Sequence, residues 1–209
     1  MKLFGGPTKK EIMINGLLNI QDDQDLFDRL TTLQNERGVA FDTKVVGIAS
    51  IKNDSLTAAF SKGFADAFAL NKSSCLLIDA NLYDPSLEKL LGEGDFSKPK
   101  EGKQFDGYSV KELSEGVSAV YLEKQIYPSE VFKSGLIQRI VKEQSDKFEH
   151  IVIITPSIKE HKEIVLLKDV LQAIILVSQR NVTLKKHIYD ACVFLSEEKM
   201  PLAKTIVLK

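Results

Sequence analysis

The chain has 209 residues, 44% of them hydrophobic and 27% charged, which fits one globular domain and excludes a disordered or fibrous chain. Twenty-eight basic and twenty-nine acidic side chains leave a formal net charge of −1, so no global field draws the molecule to nucleic acid, although local basic patches remain open. No apolar run approaches the roughly 20 residues that cross a bilayer, and the opening MKLFGGPTKK is broken by glycines and a proline before any signal-like stretch. The expectation is a cytoplasmic protein without a membrane span.

Residues 1–40 read as an N-terminal helical appendage. Within it, DLFDRLTTLQNERG (25–38) places Leu26, Leu30 and Leu33 on one helical face, with Gly38 positioned to close the helix. From residue 41 to 209, short apolar runs alternate with longer amphipathic ones, the pattern of an α/β domain with a mainly parallel central sheet flanked by helices.

In chain order the expected strands are 44–50, 75–80, 118–123, 150–155, 173–178 and 204–209. Several are apolar on successive residues, as strands covered on both faces must be. The expected helices are 57–71, 85–91, 129–146, 160–170 and 183–198. In the third, Val131, Leu136, Ile140 and Val141 share a face, Lys133, Lys142 and Glu143 point to solvent, and Ser129 is the expected cap. GEGDFSKPKEGKQFDGY (92–108) reads as an exposed loop.

Cys75 and Cys192 both sit in apolar runs, which predicts buried reduced thiols rather than a disulfide. His150, His161 and His187 are scattered and read as surface or strand-end residues. No metal-ligand spacing is present.

The stretch VVGIASIKNDSLTAAF (45–60) has the strand–turn–helix layout in which a helix N-terminus meets a phosphate. A working phosphate loop needs glycines for close backbone approach, a lysine for the β- and γ-phosphates and a Ser or Thr for Mg²⁺. The turn here has none of the glycines and no such lysine.

From Val45 to Pro85 this region nevertheless resembles, without a gap, the bacterial tyrosine kinases of capsule and exopolysaccharide synthesis (CpsD/CapB type), relatives of the MinD/ParA ATPases. LLIDANLYDPSLEKLLG (76–92) resembles that family's second acidic motif and the proline-led helix after it. FEHIVIITPSI (148–158) resembles its Walker B strand and Thr-Pro turn, and residues 128–150 the helix before that strand. The resemblance runs from 45 to the C-terminus and implies a P-loop NTPase-like topology of the deviant Walker type.

Carried over residue by residue, the resemblance sets Asp54 and Leu56 at the two loop glycines, Thr57 at the phosphate lysine and Ala58 at the magnesium Ser/Thr. Lys52 stands at the MinD/ParA signature lysine, with a solvent-facing side chain as the plainer reading. Asp79 takes the place of a magnesium-linked carboxylate, with an acid held by backbone N–H groups at the sheet edge as the plainer reading. Asn81 replaces the next acid, Tyr83 the basic residue after it, and Ile154 the Walker B aspartate. The family's C-terminal tyrosine cluster has no counterpart, since Tyr189 is the last tyrosine, and Arg29 and Arg37 lack the spacing of its oligomerisation helix.

The resemblance so modified implies a non-catalytic, pseudokinase-like regulator or scaffold in polysaccharide synthesis or export, with no catalytic residue, no metal ligand and no cofactor. Its expected partner is a protein, either a membrane chain-length regulator or a catalytic paralogue, which recruits it to the inner face of the membrane. Two alternatives remain: an ATPase or tyrosine kinase with a displaced site using ATP and Mg²⁺ through Lys52, Thr57 and Asp79, and a MinD/ParA-like positioning scaffold.

Overall fold

The computed structural model describes residues 19–20, 43–52, 55–85, 87, 108–122 and 127–208. Its centre is strand β2 (Val45–Ser50), whose six residues are all buried. That burial on both faces explains a run in which apolar side chains follow one another instead of alternating.

β2 pairs in parallel with β6 (His150–Ile154) on one side and with β7 (Ala173–Gln179) on the other. β3 (Cys75–Asp79), β5 (Val117–Leu122) and β8 (Leu202–Leu208) extend the sheet. With the two-residue β1 (Asn19–Ile20) and β4 (Tyr108–Ser114) the order is β1-β8-β7-β2-β6-β3-β5-β4. Every neighbouring pair is parallel except β4 and β5.

Each face of the sheet builds its own core. Val46, Ile48, Leu77, Val152 and Val177 face α1 (Ser55–Leu70), which packs Phe60, Phe64 and Phe68 against them. These three rings recur every four residues, and Phe64 meets Phe68 edge-on at 5.1 Å. Val45, Ala49, Ile78, Ile153 and Leu176 face the other way. There they meet α2 (Pro128–Lys133), α3 (Leu136–Gln144), a 3-10 turn (Glu163–Leu167) and α4 (Lys185–Glu197). The two thiols are free and buried, Cys75 in the α1 core and Cys192 in the opposite one. Burial pushes both thiols up in pKa.

The six expected strands all form. Several other expectations need correction. β4 was not foreseen, because YSVKELS is an edge strand with mostly exposed residues and no apolar run. Its charges and the irregularity between Glu112 and Ser114 blunt an otherwise open edge. The expected 129–146 helix is two helices, broken where Gly135 adopts φ +73° and its N–H bonds back to the Phe132 carbonyl. The apolar face survives the break, with Val131, Leu136, Ile140 and Val141 all buried.

Ser129 is not the cap of α2. The cap is Tyr127, without a side-chain bond, and Pro128 opens the helix with its fixed φ. Residues 160–170 contain only the five-residue 3-10 turn, tightened by i→i+3 bonds such as Val165 N–H to the Lys162 carbonyl. Of the expected appendage, Asn19–Ile20 is described and pairs with β8 as a strand. The 25–38 helix and the 92–107 loop lie outside the described residues, as does most of 85–91.

His150 sits at a strand end, as expected, but is buried rather than at the surface. Its ring stacks on Phe68 at 3.8 Å and its Nδ1 lies 3.2 Å from the Thr43 carbonyl. Burial lowers its pKa below the ordinary 6.5, opposed by the Thr43 bond and the Glu149 charge. Below that ordinary value the unfolded chain takes up a proton that the native ring resists, so stability is lost as pH falls from 6.5 towards the lowered native value. Urea midpoints should therefore be lower at pH 5.5 than at pH 7.5, and His150→Phe should flatten the difference. At the helix break, Gly135→Ala should cost about 1 kcal/mol in the same assay, because an L side chain resists a left-handed backbone.

Candidate functional site

The C-terminal ends of β2, β3 and β6 lie side by side, with Ile48 paired to Ile154 and Ile154 paired to Asp79. The sheet thus brings together the strand ends that the sequence marked. Two of these ends are polar, Ser50 and Asp79, and the third is Ile154. Ala58, in the first turns of α1, is fully buried and Ile154 is 1% exposed, and both belong to the core beneath α1. Thr57 is buried as well, and its carbonyl accepts the Ser61 hydroxyl at 2.8 Å. Lys52 is exposed just beyond the end of β2. Asp54 and the Leu56 side chain lie outside the described residues.

Asp79 acts on the backbone. Its Oδ1 accepts the N–H of Asn81 at 3.0 Å and its Oδ2 that of Leu87 at 2.9 Å. Asn81 continues the turn by donating its Nδ2 to the Asp84 carbonyl at 2.8 Å. A carboxylate in this position organises the exit of the chain from β3, as its sheet-edge position predicts.

The Thr-Pro turn after β6 is also turned inward. Thr155 N–H donates to the Ile48 carbonyl at 2.9 Å, Ser157 Oγ to the Ile51 carbonyl at 2.6 Å, and Ile158 N–H to the Ser50 carbonyl at 2.9 Å. These groups stitch the end of β2 to the neighbouring loop.

Mg²⁺ demands oxygen ligands in near-octahedral geometry. Ala58 and Ile154 have none in their side chains, and both oxygens of Asp79 receive backbone N–H groups. Among the described residues, the positions of Ala58 and Ile154 thus offer a magnesium ion no side-chain oxygen. Among the described residues no cluster of three or more His, Cys, Asp or Glu is placed to hold a metal ion.

One contact at this edge has no local signature in the sequence. The Tyr83 ring stacks on His161 with centroids 3.6 Å apart and planes 7° from parallel, and its hydroxyl donates to Glu163 Oε1. Burial, the bond to Glu163 and the carboxylate charge push the phenol up to about 12. Tyr83, at the position of a basic residue in the resembled motif, thereby locks the turn after β3 to the turn after β6. The partners are 80 residues apart in the chain, so only the fold reveals them.

Asp79→Asn retains one acceptor but loses the charge and one backbone bond, and it should lower the unfolding free energy by about 1–3 kcal/mol. Urea denaturation checks this, and a change within a few tenths of a kcal/mol would remove the structural role.

No protein-family model matches the sequence, and no curated protein matches it. Solved structures do match its fold. The kinase domain of VpsO superimposes with a TM-score of 0.71 at 20% identity, over 90% of this chain and 95% of that one. The kinase domain of the Escherichia coli tyrosine kinase ETK gives 0.69 at 15% identity, over 90% and 76%. The MinD cell division protein of Aquifex aeolicus gives 0.52 at 17%, over 78% and 68%. The chain therefore has the mostly parallel α/β fold found in bacterial tyrosine kinase domains and in MinD-type P-loop ATPases.

Proposed function

We propose that this chain is a non-catalytic, pseudokinase-like relative of the capsule and exopolysaccharide tyrosine kinases, working as a regulator or scaffold in polysaccharide synthesis or export. One observation carries the reading. Where the resemblance sets two magnesium supports, the chain has Ala58 and Ile154, and both are packed into the core beneath α1.

The likeness of fold to the VpsO and ETK kinase domains supports the choice of family. A protein that keeps such a sheet without its nucleotide site acts through its surface, and the partner classes that suit it are a membrane chain-length regulator or a catalytic paralogue. Among the described residues no helix is long and apolar enough to cross a membrane, so the reading places attachment to the inner membrane face on that partner.

Isothermal titration of the full chain with Mg-ATP tests the proposal. No saturable heat is expected up to millimolar nucleotide, and micromolar binding would overturn the reading.

A further inference from the structure

On the face of the sheet opposite α1, a cavity of about 280 Å³ opens between the turn after β6 and the first turns of α4. Ile51, Ile158 and Ala191 form part of its lining, and all three belong to the core on that side of the sheet. The cavity is thus separated by the sheet from the helix that would follow a phosphate loop.

Its polar lining is mostly basic. Lys159 and Lys162 come from the turn, Lys186 and His187 from α4, and Asp190 is the one acid among the lining residues. Three solvent-exposed lysines therefore rim one small space beside a single exposed carboxylate. Lys162 is fixed there, its Nζ donating to the Ile158 carbonyl at 2.7 Å and lying 4.0 Å from the centre of the Phe194 ring. Among the described residues neither Lys159 nor Lys186 makes an ion pair.

The start of α4 adds to the imbalance. Lys185, Lys186 and His187 occupy its first turn, which contains no acidic residue and no side-chain cap. A helix macrodipole is already positive at that end. An anion bound between the turn and the helix would be attracted by the cations of both.

We infer that this cavity is a binding site for a phosphate-bearing anion. Its volume lies just below the roughly 300–1,000 Å³ of sites for drug-sized ligands, so the ligand is either a small phosphorylated molecule or the headgroup of a phospholipid. The inference goes beyond the proposed function and does not depend on the nucleotide turn being inactive.

The test titrates the full chain with sodium pyrophosphate by calorimetry and sediments it with vesicles of phosphatidylglycerol or of phosphatidylcholine. Saturable binding of pyrophosphate is expected, falling at least tenfold in Lys186→Glu, less in Lys186→Gln, and unchanged in the exposed control Lys147→Glu. Circular dichroism checks that each variant is folded. Sedimentation with phosphatidylglycerol alone, lost in Lys186→Glu, supports the site with a lipid headgroup as the source, whereas pyrophosphate binding without sedimentation supports it with a soluble one. Binding of neither probe overturns the inference, as does binding that Lys186→Glu leaves intact. Pyrophosphate binding lost in Lys52→Ala but kept in Lys186→Glu overturns it too, and also counts against the proposed function, whereas absence of both probes leaves that function standing.

Discussion

The end of β2 is the point on which the rest of the molecule depends. This strand is hydrogen-bonded on both edges, and the carbonyls of Ile48, Ser50 and Ile51 at its exit are taken by Thr155, Ile158 and Ser157. Buried backbone groups must find partners somewhere. Here the neighbouring loop supplies them, which ties the course of the turn after β6 to the end of β2. A strand end satisfied in this manner is a rigid junction.

That rigidity has an energetic logic. A working phosphate loop holds glycine-dependent backbone and buried charge, both of which cost stability until a ligand compensates them. Under the proposed function, Ala58 and Ile154 stand in place of those costs as apolar packing under α1, each worth the transfer of its own surface from water. Tyr83 does the same at the next strand end, where a ring stacked on His161 stands at the position of a charged residue in the resembled motif.

The parts of the fold that were legible in the sequence are those with a local physical cause. β2, β3, β6 and β7 are buried on both faces and so read as unbroken apolar runs. The position of Asp79 at a strand end was enough to suggest a backbone role. β4 escaped because an exposed edge strand need not be apolar, and the break at Gly135 escaped because the buried stripe continues across it. The 3-10 turn at Glu163–Leu167 read as a longer helix because its buried Ile164 and Leu167 fit either period. Tyr83, His161 and Glu163 meet through tertiary structure alone, and the basic cavity joins a turn to a helix that follows it only after a further strand.

The placement of the two thiols has a practical bearing on how the protein opens. Cys75 lies in the α1 layer and Cys192 in the layer beyond the sheet, so neither meets the other while the strands stay paired. Oxidation within one folded molecule therefore cannot crosslink them, and each reacts with a thiol reagent only when its own layer lifts. The two cysteines act as separate reporters, one for each side of the sheet, of whether the layers loosen together or in turn.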